Sequence, residues 1–381
     1  MQWSIRTLLN PVIVRSLIYG VNPIDMEYVL QKVEKKPLVN SKVLEMTWRE
    51  EWGKKAQRFS AFGKEAKEKG NYISAKEYYM LAARCYYACY LINSDQIAGK
   101  REIYKKLEGY YLQALQCSER RFEQVVIKLE EKKGMPGYLH LPDQKKFQAP
   151  YACVTIFAGM GSSKEELETM ARPLVERGVA VLCLDQPGTG AALFDYDLKL
   201  SGENIELGFD KTMEFLLSHP LIDENRLGSY GLCMGGGYAY RFAAKYPSVR
   251  CVANLFPLFV TMLEEDAVPR WMKQGLWAKY QLANGPENEF YEGMEVLTEG
   301  AVKSDYLVVH SRFDNWMPLE KTKEILTKTE GKKETIVIDE EPVFATKESI
   351  MHAMPVGEQM HWIRIKVADW MVTHLEEQSK E

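Results

Sequence analysis

Two hydrophobic periods divide this chain. Up to about residue 121, apolar positions recur every three or four residues, the spacing of a buried helix face. Beyond it, short continuous apolar runs alternate with helix-length amphipathic segments. Over residues 47–69, Trp48, Trp52, Ala56, Phe59 and Phe62 share one helical stripe, which Gly70 and Asn71 interrupt. Residues 72–91 resume the pattern with Ala75, Tyr78, Tyr79, Ala82, Ala83, Tyr86 and Tyr90, and a third helix is predicted over residues 97–121. Tyrosine and alanine at this spacing predict helix–helix core rather than a ligand site.

After residue 121, runs at 122–129 and 137–141 predict two strands joined around residues 130–134. Further strands are predicted at 151–157, 179–184, 226–230, 251–256, 306–310 and 335–338, with a helix at 163–177 and a long amphipathic helix at 357–375. Strands alternating with helices predict an α/β fold, a mostly parallel sheet with helices on both faces. Residues 1–121 form the expected N-terminal helical domain, in a cap or dimerisation role, and residues 122–381 the catalytic domain. The span 257–303 is too long for a simple connection and is expected to be a short helical lid. Its Trp271 and Trp277 are candidate substrate contacts or lid core.

Composition narrows the partners. At 381 residues, with 46% hydrophobic and 27% charged residues, the chain reads as an ordinary globular protein. A net charge of −4 without basic blocks gives no reason to expect nucleic acid. No apolar run is long enough to span a bilayer, and Arg6, Asn10, Pro11 and Arg15 interrupt the first twenty residues too often for a signal peptide. Seven scattered cysteines without a Cys/His cluster predict a reduced, cytoplasmic protein with no metal and no cofactor.

The candidate chemistry centres on Cys233, in the run Gly231-Leu-Cys-Met-Gly235 where a strand gives way to a helix. This is nucleophile-elbow spacing with sulfur in place of the usual serine oxygen. Small residues two before and two after are needed because strand and helix backbones nearly touch there, and Gly231 and Gly235 supply them. The competing reading is a buried structural cysteine beside a glycine-rich turn. A thiol nucleophile needs a base, and the base an orienting carboxylate, in the chain order nucleophile, acid, histidine. Asp314 follows the strand at 306–310 by a few residues, where the acid belongs; the competing reading is a loop aspartate that caps a turn or the helix beginning near Leu319. His352, in a loop after the last strand, is preferred as base over His361 and His374, which lie in the amphipathic helix; His310, before the acid, is read as support for the loop. Oxyanion donors are expected from the backbone N–H of Met234, at the start of the elbow helix, and from Met160 or Gly161 in the glycine loop after the strand at 151–157. Trp316, beside the acid, is a further candidate substrate contact.

Together these residues resemble the α/β-hydrolase superfamily. More narrowly they resemble its esterase and carbon–carbon hydrolase branch with an N-terminal helical domain, the FrsA-like, fungal pigment-chain-shortening and dihydroxypseudooxynicotine hydrolase group. The likeness rests on Gly159-Met-Gly-Ser-Ser-Lys-Glu-Glu166, Asp185-Gln-Pro-Gly-Thr-Gly190 and Asp223-Glu-Asn-Arg-Leu227, in that order, and on the helical pattern around residues 70–90. The resemblance implies serine at the elbow, so Cys233 is a departure; cysteine elbows occur in the related dienelactone hydrolases and bile-acid-conjugating acyltransferases. Some carbon–carbon-cleaving members use an acidic residue soon after the sixth strand, and Glu264 or Glu265 fits that place.

Three functions remain open at this level. The first is hydrolysis of an ester, thioester or activated C–C bond through an acyl-cysteine. The second is transfer or cyclisation of the acyl group onto an amine or hydroxyl, which a thioester favours because it aminolyses readily while resisting water. The third is a non-catalytic binding protein on a hydrolase scaffold. The expected substrate is a small-molecule or carrier-bound acyl compound, and a homodimer through the helical domain is a further expectation.

Overall fold

Each apolar run predicted in the second half of the chain falls in a strand; those at 151–157 and 180–184 are buried along their whole length, whereas the edge strands at 121–128 and 333–338 are partly exposed. In the computed structural model, residues 5–36, 41–92, 97–159, 161–259, 302–314, 316–340, 352 and 357–376 are described. The strands are β1 (Arg121–Lys128), β2 (Gly134–Leu141), β3 (Tyr151–Phe157), β4 (Ala180–Leu184), β5 (Ile222–Leu232), β6 (Val249–Leu255), β7 (Asp305–Ser311) and β8 (Lys333–Ile338). They form one sheet in the order β1-β2-β4-β3-β5-β6-β7-β8. β2 runs antiparallel to both its neighbours, and the pairs from β4 to β8 are parallel.

The chain divides into two compact units, Met1–Arg120 and Arg121–Glu381. Helices α1 (Ile5–Ile18), α2 (Pro23–Glu34), α3 (Ser41–Glu68), α4 (Tyr72–Leu91) and α5 (Ile97–Gln116) lie in the first. The period did not expose α1 and α2, although α2 carries its start signal in Asn22-Pro23. The Asn22 side chain accepts the Ile24 N–H at 2.8 Å, and proline occupies the first turn, where its missing donor costs nothing. Within this unit α4 packs against α3 and α5. Trp48 and Trp52 meet edge to face at 5.9 Å, the Trp48 indole N–H donates to the Ala88 carbonyl at 2.9 Å, and Tyr86 stacks on Tyr110 at 5.7 Å. The tyrosine–alanine stripe is therefore helix–helix core. α5 stops at Gln116, five residues short of the expected end, because the chain turns at Ser118, whose hydroxyl donates to the Leu115 carbonyl.

In the second unit, helices α6 (Glu168–Val175), α7 (Gly190–Tyr196), α8 (Gly202–Ser218), α9 (Met234–Lys245), α10 (Leu319–Leu326) and α11 (Gly357–Glu376) accompany the sheet. Successive residues of β5 show how the faces are covered, since neighbours on a strand point to opposite sides. The Ser229 hydroxyl donates to the Ala239 carbonyl of α9 at 3.0 Å. A side chain at Gly228 would touch Met371 of α11, and buried Tyr230 interacts with Arg364 of the same helix. Helices thus cover both faces, α9 on one and α11 on the other. α8 joins α9 through Phe209 against Phe242 at 5.6 Å and through the Arg241–Glu206 ion pair.

The helix expected from residue 163 begins only at Glu168. Residues 164–167 form turns instead, and Ser162 and Ser163 cap no helix. The lid expected at 257–303 lies almost wholly outside the described residues.

The topology also places the site. From β3 the chain turns to β4 on one side, whereas β5 lies on the other, so the strand order reverses at β3. Ligands on such sheets bind beyond the carboxyl ends of the strands at this reversal. β3 pairs with β5 in register Phe157↔Gly231, which brings the loop after β3 directly beside the residue that follows β5.

Candidate active site

Cys233 occupies the turn between β5 and α9 with φ 56° and ψ −124°, a conformation that side chains other than glycine rarely adopt. The turn is held from both sides. The Cys233 N–H donates to the Leu255 carbonyl at 3.0 Å, and the Cys233 carbonyl accepts from Gly236 at 2.8 Å and Leu258 at 2.9 Å. The elbow glycines are required by sterics: a Cβ on Gly231 would collide with the Gly235 carbonyl, and one on Gly235 with the Phe157 carbonyl. Sharp turn, positive φ and crossing glycines together aim the Cys233 side chain outward at the N-terminus of α9. Met234, the first residue of that helix, is buried.

The acid and the histidine converge. The His352 Nδ1–H donates to Asp314 Oδ2 at 2.7 Å, and both side chains are buried. Asp314 does more than orient the ring, since its Oδ1 accepts the N–H groups of Trp316 at 3.0 Å and Met317 at 2.8 Å. One oxygen of this aspartate thus caps the turn and the other meets the His352 ring. With Nδ1 engaged, Nε2 is the nitrogen left to face the thiol. Cys233 interacts with the ring first through charge and then through a side-chain hydrogen bond.

Burial alone would lower the His352 pKa, but the charges of Asp314 and Cys233 outweigh it and raise the pKa from 6.5 to about 10. A histidine raised on folding stabilises the fold fully below its unfolded value near 6.5, and that contribution is lost as pH climbs through about 10. The His352 ring is therefore expected to show no NMR titration between about pH 6 and 8. In Cys233→Ala one of the two raising charges is gone, and the midpoint is expected to move down toward 6.5. An unmoved midpoint would mean that the ring does not sense the thiol.

Two further side chains frame the pair. Trp316 lies over the His352 ring with centroids 5.7 Å apart. His310, at the end of β7, is buried and donates from Nδ1 to the Ser311 carbonyl at 2.9 Å; burial holds its pKa below the usual histidine range. Its charge interactions with Asp314 and His352 make it a neighbour of the site, not merely the loop support its position in the sequence suggested.

The glycine loop also arrives where expected. A side chain on Gly159 would lie 3.2 Å from the Cys233 Cβ. The Ser162 N–H donates to the Gly159 carbonyl at 3.1 Å, closing a turn in which Gly161 has φ 68°. Met160, Glu264, Trp271 and Trp277 lie outside the described residues. Among the described residues, no group of three or more His, Cys, Asp or Glu side chains is arranged to hold a metal ion. No helix among them is long and apolar enough to cross a membrane.

Sequence reasoning missed two buried amides. Asn254, at the end of β6, donates to the Gly236 carbonyl at 2.9 Å and the Tyr306 hydroxyl at 2.7 Å, tying down the first turn of α9. Gln186, after β4, pairs with the backbone of Ala158, as described below.

With this geometry in place, comparison with known proteins is decisive for the lineage. Residues 38–274, more than half of the chain, match the family described as Esterase FrsA-like. The chain belongs to the FrsA-like esterase family. Among curated relatives, the α/β hydrolase pydG of Acremonium sp is 28% identical over 224 residues, covering 56% of this chain and 51% of pydG. The 2,6-dihydropseudooxynicotine hydrolase of Paenarthrobacter nicotinovorans is 28% identical over 205 residues, 53% of each chain. The chain thus spans about half the length of the curated relatives it matches. The crystal structure of 2,6-dihydroxy-pseudo-oxynicotine hydrolase superimposes with a TM-score of 0.76 at 20% identity, covering 95% of both chains. That is a match of fold, α/β-hydrolase in kind.

Proposed function

We propose that this protein is a hydrolase that cleaves an ester, thioester or activated C–C bond through an acyl-cysteine formed on Cys233. The observation that carries the reading is a thiol on a strained strand-to-helix turn beside a buried histidine whose pKa is raised to about 10. Family membership and relatives named as hydrolases support the reaction class.

In this reading the thiol proton resides on His352 at neutral pH, leaving a thiolate–imidazolium pair. Sulfur attacks the substrate carbonyl carbon, the C–S bond forms, and the π electrons move to the carbonyl oxygen. The N–H of Met234 and donors of the glycine loop, Gly161 among them, hold that oxyanion. Collapse re-forms the carbonyl and expels the leaving group, which takes the proton from His352. Acylation consumes the thiolate, one of the two charges that keep the ring protonated, so the neutral imidazole becomes a competent base. It then takes a proton from water, hydroxide adds to the thioester carbon, and the acid and the thiol are released. The nucleophile being sulfur also favours a second reading, transfer of the acyl group to an amine or hydroxyl.

Intact-mass measurement after incubation with a panel of activated acyl esters tests the proposal. One acyl adduct per chain is expected, absent in Cys233→Ala. No adduct and no turnover would leave a binding protein on a hydrolase scaffold. Product partitioning to added amine or alcohol at low concentration would replace hydrolysis by acyl transfer.

A further inference from the structure

The loop that leaves β3 is held at both ends by two consecutive side chains from the end of β4. At its start, Gln186 pairs with the backbone of Ala158 in both directions: the Ala158 N–H donates to Oε1 at 3.2 Å, and Nε2 donates to the Ala158 carbonyl at 3.1 Å. At its far end, Asp185 Oδ1 accepts the Lys164 N–H at 2.8 Å, and Oδ2 accepts from the Lys164 ammonium at 3.0 Å. The same Oδ2 accepts the Ala191 N–H at 2.8 Å, and the ammonium also reaches Glu165 Oε1 at 2.9 Å. Asp185, Lys164, Glu165, Gln186 and Ala158 are all buried.

Such an arrangement is costly to build. A buried lysine–aspartate pair gives up hydration on both charges, and a hydrophobic pair of similar volume is often no less stable. What it provides is fixed geometry. Between the clamped ends lies Gly159, against the Cys233 Cβ, followed by the turn that contains Gly161. An oxyanion donor acts only if its N–H is already aimed where charge develops, and a displacement of about 1 Å can cost roughly 100-fold in rate.

We propose that Asp185 and Gln186 form a two-residue clamp that fixes the β3 loop against Cys233 and so positions its backbone donors for the oxyanion. The proposal rests on Cys233 being the acylated nucleophile. Asp185 and Gln186 are positioning residues: they act through the loop and not on the substrate.

The test separates oxyanion formation from thiol reactivity. Acylation by p-nitrophenyl acetate passes through an oxyanion, whereas alkylation by iodoacetamide is a displacement at carbon that forms none. Gln186 is the residue to change, since removing Asp185 takes the acceptor from the buried Lys164 and Ala191 N–H groups and endangers the fold. Gln186→Met keeps the length and removes both hydrogen bonds; Gln186→Leu also removes both and adds no charge. In Gln186→Met the p-nitrophenol burst rate is expected to fall about 10- to 100-fold, with alkylation of Cys233 within about twofold of wild type. Gln186→Leu, the one to read if Gln186→Met does not fold, is expected to show the same split between acylation and alkylation. A burst rate unchanged in the folded variants overturns the clamp. So does a parallel loss of acylation and alkylation, which would mean that the thiol itself has moved. A wild-type protein that is alkylated but never acylated overturns the nucleophile reading, and the clamp with it.

Discussion

Asp314→Asn is expected to cut turnover of an activated ester about 10⁴-fold while leaving the fold intact. The size follows from the two jobs of the side chain. Oδ1 caps the turn by accepting the Trp316 and Met317 N–H groups, and a carboxamide oxygen accepts them equally well. That requirement fixes the orientation of the new amide, because the reverse would set NH₂ against two N–H donors. The NH₂ then faces His352 Nδ1, where an acceptor stood. The ring must carry its proton on Nε2, facing the thiol, and can no longer accept one there. The attraction that raises the ring's pKa is lost as well. Turnover measured beside the thermal midpoint checks this. Full activity in a stable Asp314→Asn protein would remove Asp314 from the mechanism.

Gly235→Ala is expected to be the most damaging small substitution at the site. Its methyl group would collide with the Phe157 carbonyl at the end of β3, a backbone atom that no rotamer change can move aside. Separating α9 from β3 is expected to cost about 3 kcal/mol or more, at the upper end for overpacking. It also widens the gap between the glycine loop and Cys233, so activity should fall further than stability alone accounts for. Gly53→Ala in α3 is the matched control. Nothing lies within 4 Å of its added methyl, and a helical glycine there should gain about 0.5–1 kcal/mol on replacement. Urea denaturation of both proteins checks the contrast; a Gly235→Ala protein as stable as wild type would show that strand and helix do not in fact touch.

Much of this architecture is legible in the sequence because it rests on local physics. β3 and β4 are buried along their whole length, and such strands read as near-continuous apolar runs. The elbow is legible for the same kind of reason, since only glycine fits where Gly231 and Gly235 cross. What stays hidden depends on partners far along the chain. The helix expected from residue 163 starts only at Glu168, and the segment before it is tied instead to Asp185, which accepts the Lys164 N–H from 21 residues away. Gln186 reaches Ala158 across 28 residues, and Asn254 reaches Tyr306 across 52, and no local period announces either. For Asp314 the sequence offered a cap or an acid as alternatives, and a carboxylate has two oxygens. Chain order sets His310 aside as the base, yet from the end of β7 it interacts through charge with both Asp314 and His352, a proximity no local pattern announces.

The cysteines distribute in a way that bears on practice as much as on chemistry. Six of the seven are buried, and Cys233 alone is partly open to solvent. Burial pushes the Cys89 and Cys153 thiols up to about 12, and those of Cys85 and Cys251 upward as well, so these four form little thiolate near neutrality. A native sample should therefore consume close to one equivalent of a thiol reagent, and the unfolded chain seven. The protein carries its own stoichiometric counter: the first equivalent reports the open thiol of Cys233, and the remaining six report how many molecules have lost their fold.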